Sequence, residues 1–135
     1  MSDGVDPLLT ETADRLLGQL CTHEAIQRAE DMGAAPEIWA AFAETGFPWI
    51  SVPEAAGGSG GSLLDALEVL RLVGWHAAPI PAAETGVVGG WLHAAAGLEV
   101  PDGITTVIPG TARDTLAISD DGSVSGTAHM AVSYT

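Results

Sequence analysis

The glycine-rich run at 57–61 contains the residue types of a nucleophilic site. Its sequence Gly57-Gly58-Ser59-Gly60-Gly61 matches the G-x-S-x-G pattern in which serine hydrolases expose a reactive hydroxyl between a strand and a helix. Asp114 and His129 follow in the chain order that such a triad uses. Residues 53–56 would interrupt the required strand, however, and the four glycines would hold Ser59 loosely. A serine hydrolase that uses Ser59 is therefore kept as a third interpretation.

Metal and phosphate sites lack their usual residues. The four histidines lie too far apart in sequence for a pair at helical spacing, and no carboxylate cluster accompanies them. The single Cys21 excludes an internal disulfide, and we interpret it as a small buried residue. A phosphate loop would need a lysine, which the chain lacks. We predict no metal site and assign no catalytic residue.

The charge balance narrows the range of partners. The chain has 18 acidic residues against 4 arginines, a formal charge of -14. A field of this sign disfavours nucleic acid as a partner. It would also repel the phosphates of coenzyme A, so a site for them would need concentrated arginine or a contribution from another chain.

Length and hydropathy predict one soluble domain of modest size. The chain has 135 residues, of which 47% are apolar, and no apolar run approaches the roughly 20 residues of a membrane span. The first residues lack the basic and apolar regions of a secretory signal. We therefore expect a cytoplasmic protein without a membrane partner.

Apolar periodicity predicts three helices in the first third of the chain, over residues 7–21, 24–32 and 36–46. Pro36 suits a first helical position, and Gly46 is placed to cap the end of the third helix. Ile38, Trp39 and Phe42 would form the buried edge of this helix. All four tryptophans are predicted to be core anchors.

Two more helices follow a structured loop over 47–61 that includes a short extended piece at 49–52. Ser62 and Asp65 have capping-box spacing, and the helix after them is predicted to pack through Leu63, Leu67, Leu70 and Val73 or Gly74. The last helix would run from Pro81 to Gly97. One of its sides carries Val87, Val88, Trp91, Leu92 and Ala95, and the glycines at 86, 89 and 90 predict close contact with a neighbouring helix.

After residue 101 the apolar period changes to two. This predicts strands at 105–108 and 116–118, a tight turn at Asp120-Asp121-Gly122, and a third strand over 124–134. Two or three strands alone are marginal, so we expect that the polypeptide continues or that a partner covers the last edge. The predicted fold is mainly α, a bundle of about five helices over 1–100 followed by the first strands of an incomplete β domain over 101–135.

An ordered set of residues carries a family resemblance. Along the chain it comprises Trp39, Ala43, Glu44, Gly46, Val52, Pro53, Glu54, Gly57, Gly58, Gly60, Ser62 and Asp65, and later Gly74 with Pro79-Ile80-Pro81. This order resembles the amino-terminal helical domain of acyl-CoA dehydrogenases. The resemblance implies a helical domain, a central β domain and a carboxy-terminal four-helix bundle, with FAD and the acyl-CoA between them.

The implied reaction is α,β-dehydrogenation of an acyl-CoA thioester, with FAD as the hydride acceptor. In the family the catalytic carboxylate belongs to the carboxy-terminal domain, so the resemblance places no catalytic residue in this sequence. A flavin-contacting T-E-x-x-x-G-S-D loop should follow the first central strand, where this chain has only the short segment 109–114. Such shortening resembles subunits of heteromeric acyl-CoA dehydrogenases in which a partner completes the site.

Our leading interpretation is therefore part of a flavin-dependent acyl-CoA dehydrogenase of fatty acid or steroid side-chain degradation, inactive alone. FAD would bind in the complete assembly, through residues that the sequence does not identify. The partners would be an acyl-CoA substrate and an acyl-CoA dehydrogenase subunit in a homo- or hetero-oligomer. The chief alternative is a non-catalytic helical module that makes only subunit contacts.

Overall fold

The computed structural model describes residues 4–129. These residues are mainly helical, which confirms the predicted fold class of about five helices before a small β region. In chain order the helices are α1 (Pro7–Leu20), α2 (His23–Met32), α3 (Pro36–Glu44), α4 (Leu63–Trp75), a π-helical segment (Ala83–Gly90) and α5 (Trp91–Ala95). Two 3-10 turns, Phe47–Trp49 and Glu54–Ala56, lie between α3 and α4.

Local capping fixes the helix ends. Pro36 opens α3 as predicted, and Gly46 follows this helix with a left-handed φ of 78°. The capping box at the start of α4 is confirmed, because Ser62 Oγ accepts the Asp65 N–H at 3.1 Å and the Asp65 carboxylate accepts the Ser62 N–H at 2.9 Å. Thr22, which was not predicted as a cap, accepts the Ala25 N–H at the start of α2.

The core lies between α1, α3 and α4. Ile38, Trp39 and Phe42 are buried, as predicted for α3, and Phe42 is fully enclosed. The buried residues that pack together are Ala13, Leu17, Trp39, Phe42, Ile50, Ala66, Val69, Leu72 and Ala82.

The predicted packing face of α4 is confirmed for Leu70 and Val73, which pack against the core, and is wrong for Leu63 and Leu67. Leu63 and Leu67 are 57% and 48% exposed, whereas Ala66, Val69 and Leu72 are buried. The smaller side chains on this face allow α1 to approach closely, and Leu63 and Leu67 point outward. Leucine spacing alone therefore identified only part of the side of α4 that faces the core.

The tryptophans divide into two pairs. Trp39 is buried, and Trp49 packs edge-on against it with ring centroids 6.3 Å apart. Trp75 and Trp91 are 76% and 65% exposed, so the prediction that all four are core anchors is wrong for these two.

The predicted extended piece at 49–52 is also wrong. This segment is a 3-10 turn followed by bends, because Trp49 N–H donates to the Gly46 carbonyl and Val52 N–H to the Trp49 carbonyl, both at 3.1 Å. The glycine-rich loop then returns over it. Gly60 N–H donates to the Val52 carbonyl at 2.9 Å and Gly61 N–H to the Ile50 carbonyl at 2.7 Å, which satisfies polar groups of the turn.

The last predicted helix occupies the expected region but has two pitches, π over Ala83–Gly90 and α over Trp91–Ala95. Its glycines permit the predicted close approach. A Cβ on Gly86 would lie 1.8 Å from the Pro48 carbonyl oxygen, and one on Gly90 would lie 2.5 Å from Val52 Cγ2. The neighbour is the 3-10 turn region rather than a long helix.

The β region is smaller than predicted. Strand β1 (Ala117–Ile118) pairs antiparallel with β2 (Val124–Ser125), across the predicted turn at 120–122. Residues 105–108 are not a strand, because Glu84 and Thr85 side chains bond the backbone that a neighbouring strand would use. The third predicted strand is represented only by β2, and positions 130–134 lie outside the described residues.

Candidate functional site

An apolar cavity of about 720 Å³ lies between the α2–α3 corner and the segment that leads into the π-helical region. Its size is within the usual range of small-molecule sites. The lining residues are Ala29, Glu30, Met32, Gly33, Ala34, Ala35, Pro36, Trp39, Ala78, Pro79, Ile80, Pro81 and Ile104.

Local sequence forms both walls of this cavity. Gly33 ends α2 in a left-handed conformation, with φ of 72°, and the chain turns at once into Pro36 and α3. On the opposite wall a tight turn, in which Ile80 N–H donates to the Ala78 carbonyl at 2.8 Å, carries the chain between two prolines. The spacing of Pro79 and Pro81 indicated a turn at this position. It did not indicate that the turn lines a cavity.

The lining determines the chemistry that the cavity can support. Glu30 is its one ionisable residue, and the Glu30 carboxylate accepts a hydrogen bond from Gln27 Nε2 at 3.3 Å. The other lining side chains are aliphatic, proline, glycine, methionine and tryptophan. These groups can surround a hydrocarbon by apolar contact, but they supply neither a nucleophile nor a cation for phosphate.

The Ser59 hydrolase geometry does not form. The Ser59 hydroxyl donates to the Gly46 carbonyl at 3.4 Å, and a 3-10 turn rather than a strand precedes the loop. Asp114 and His129 do come together, since Asp114 Oδ1 accepts the His129 backbone N–H at 2.6 Å and lies 3.4 Å from the ring Nδ1. Neither residue hydrogen-bonds Ser59 within residues 4–129. The loop glycines serve packing instead, because a Cβ on Gly58 would lie 2.1 Å from the Val52 carbonyl oxygen.

Two of the remaining histidines have structural partners. His76 Nε2 lies 2.7 Å from Asp14 Oδ1 and links α4 to α1, and His93 Nδ1 lies 2.8 Å from the Gly89 carbonyl. Cys21 is half-buried, and burial raises the pKa of its thiol. Over the described part of the chain, no group of three or more potential ligands could hold a metal ion.

The short segment 109–114, which stands where the family has its flavin-contacting loop, is closed on itself. The Asp114 carboxylate accepts backbone N–H groups of His129 and Thr111, and these bonds lower its pKa, so the group is ionised at neutral pH. The Asp114 carboxylate is thus bound by the backbone of its own segment, next in sequence to the cation of Arg113.

The residues that carry the family resemblance form a scaffold around the cavity and the loop. Trp39 lines the cavity, Gly46 and Gly57 occupy left-handed turns, and Ser62 and Asp65 cap α4. Of the helices within residues 4–129, none combines the length and apolar character needed to cross a bilayer.

Comparison with known proteins agrees with this scaffold. A family model described as "Acyl-CoA dehydrogenase, N-terminal domain" matches residues 7–99. The match covers every described helix and stops before the β hairpin. No curated protein and no solved structure matched the chain. Because the family model spans more than half of the sequence, the chain belongs to the acyl-CoA dehydrogenase family, through its amino-terminal domain.

Proposed function

We propose that this chain is part of a flavin-dependent acyl-CoA dehydrogenase assembly, that it is inactive alone, and that its apolar cavity holds the hydrocarbon part of the acyl-CoA. The assembly would catalyse α,β-dehydrogenation of the thioester. FAD, the catalytic base and the site for the coenzyme A phosphates would be supplied by other parts of the assembly, in the cytoplasm.

The cavity beside Trp39 is the observation that carries this proposal. Its aliphatic and proline lining suits an acyl or steroid hydrocarbon and offers no cation for the anionic end of coenzyme A. The formal charge of -14 further opposes phosphate binding by this chain. The arrangement therefore supports a division of roles, in which this chain contacts the apolar part of the substrate.

Tryptophan fluorescence provides a direct test, because Trp39 lines the cavity. Palmitate should quench or shift the emission of the purified chain saturably, whereas free coenzyme A should not. Ala34→Phe, which fills the cavity, should weaken palmitate binding at least tenfold. Ala40→Phe, on the exposed side of α3, is the matched control and should bind as the unchanged chain does. Equal binding by the two variants would refute the cavity assignment.

Flavin content tests the catalytic part separately. The chain purified alone should be colourless, and its complex with an acyl-CoA dehydrogenase subunit should be yellow and should bleach when an acyl-CoA is added.

A non-catalytic helical module is the second candidate. It is favoured by the self-closed segment around Asp114, which stands where the longer flavin-contacting loop of the family would be. A colourless complex that is insensitive to acyl-CoA would establish this candidate instead.

A further inference from the structure

An apolar stripe faces outward on the helix that completes the helical region. Val88, Trp91 and Leu92, which we name the outer stripe, are 43%, 65% and 42% exposed. Their spacing of three and four residues places them on one side of the helix, whereas Val87, which was predicted on the same side, packs against the core. Because a tryptophan is among the residues most often found at the centre of protein interfaces, this stripe is a candidate contact surface.

The outward orientation is fixed by the opposite side of the helix. Gly86 and Gly90 are buried there, and any Cβ on them would overlap Pro48 and Val52. Thr85 is also buried and bonds the backbone of Thr105. Rotation of the helix to bury the stripe would break these contacts, so the stripe remains available for another molecule.

The charge of the chain indicates what that molecule is. Residues 72–112 contain no lysine or arginine, and their acidic residues are Glu84, Glu99 and Asp102. A symmetric dimer through this stripe would bring together two chains that each carry a formal charge of -14, which repel each other. A basic surface would instead gain attraction.

We propose that the outer stripe docks a partner protein whose apolar contact surface is edged by lysine or arginine, and not a second copy of this chain. The inference rests on the proposed function, which requires a partner, and it specifies the chemistry of that partner and the surface it uses. Trp91 would be the central anchor, with Val88 and Leu92 beside it.

The exposed leucines of α4 provide a matched comparison. Leu64 is 54% exposed, similar to the stripe residues, but its helix carries Arg71 paired with Glu68 at 2.8 Å. The two helices also carry the same formal charge of -1, from Asp65, Glu68 and Arg71 in α4 and from Glu84 in residues 83–95, so Leu64 is a control of similar exposure and charge. A partner that docks on the outer stripe should therefore be lost when Trp91 is changed and kept when Leu64 is changed.

The test uses two designed amphipathic helical peptides with the same leucine face, one with lysine and the other with glutamate at the polar positions. Binding to the full chain is measured by fluorescence anisotropy in about 0.15 M salt, where exposed charges act over about 8 Å. We expect the lysine peptide to bind at least tenfold more tightly than the glutamate peptide. Trp91→Glu should weaken lysine-peptide binding at least tenfold, and Leu64→Glu should change it less than twofold.

Both variants add one negative charge, which separates docking from general attraction. If the lysine peptide bound only through net charge, Trp91→Glu would bind as well as the unchanged chain or better, and this result would overturn the proposal. Sedimentation velocity tests whether a second copy of the chain occupies the stripe instead. A dimer of the unchanged chain that becomes a monomer in Trp91→Glu would identify a second copy as the occupant and would contradict the proposal. Circular dichroism checks that the variants fold. Palmitate binding should be unchanged in Trp91→Glu, so failure of the stripe and failure of the cavity are distinguishable.

Discussion

The helical region over 7–97 and the segment over 104–129 differ in how their apolar side chains are used. In the helical region Leu17, Phe42 and Val69 are buried in one shared core. In the hairpin of the second segment, Ile118 and Val124 are 78% and 63% exposed although they lie directly opposite each other. The first region is therefore held by tertiary packing, whereas the second depends on hydrogen bonds and should open at a lower free energy.

The two regions are joined by side chains of the π-helical segment. The Thr85 hydroxyl donates to the Thr105 carbonyl at 3.1 Å and accepts the Thr105 N–H at 3.3 Å. The Glu84 carboxylate accepts the Val107 N–H at 3.0 Å and the Thr106 hydroxyl at 2.5 Å. These bonds replace the strand pairing that the sequence predicted for 105–108.

Truncation of one large apolar residue in each region should give the largest contrast. Phe42→Ala removes a fully buried ring and should cost about 4 kcal/mol of the free energy of unfolding, since the core around it cannot fully collapse. Ile118→Ala, in the exposed hairpin, should cost less than about 0.5 kcal/mol. Urea unfolding followed by circular dichroism measures both values. Similar losses for the two variants would contradict the assignment of a single core to the helical region.

Gly86→Ala sharpens the comparison within the helical region. The added methyl would overlap the Pro48 carbonyl, so we expect a loss of about 3 kcal/mol, near the upper end for overpacking. Gly74→Ala is the matched control, because its Cβ meets no atom within 4 Å. That substitution in α4 should stabilise the chain by up to about 1 kcal/mol through helix propensity. Thermal unfolding of the two variants should therefore shift in opposite directions.

The sequence predicted the helix ends correctly where neighbouring residues determine them. Pro36 and Gly46 marked the limits around α3, and Ser62 with Asp65 marked the start of α4, because capping involves only neighbouring residues. The inward side of α4 could be predicted only in part from its leucines, since it depends on the close approach of α1.

The segment 105–108 failed as a predicted strand for a similar reason. Its bonding partner Thr85 lies 20 residues away from Thr105, on a helix, and no alternation within the segment reveals it. The cavity was also beyond sequence reasoning, because its walls come from the α2–α3 corner, the proline turn and Ile104. Contacts between distant segments form both features.

Thr85→Val tests the junction between the two regions. The substitution keeps the volume but removes the hydroxyl that bonds both polar groups of Thr105, so we expect a cost of about 1 to 2 kcal/mol. Hydrogen exchange should show faster exchange of the Thr105 amide. The Ser119 amide, which donates to the Ser123 carbonyl within the hairpin, is the internal control and should keep its rate. Equal acceleration of both amides would mean that the hairpin and the junction open together.

Asp65→Asn should have the smallest effect and is distinguished by its pH dependence. The hydroxyl and backbone N–H of Ser62 lower the pKa of Asp65, so this carboxylate stabilises the folded chain most above the ordinary carboxyl pKa of about 4. That contribution is lost as the pH falls through the lowered pKa of the folded state. We expect Asp65→Asn to cost about 0.5 to 1 kcal/mol of the free energy of unfolding at pH 7 and progressively less below pH of about 4.

Glu99→Gln is the control, because it makes the same change of charge at an exposed position. Subtracting its pH profile leaves the part of the effect that belongs to the capping box. A constant difference between the two variants from about pH 3 to pH 7 would mean that ionised Asp65 does not stabilise the start of α4.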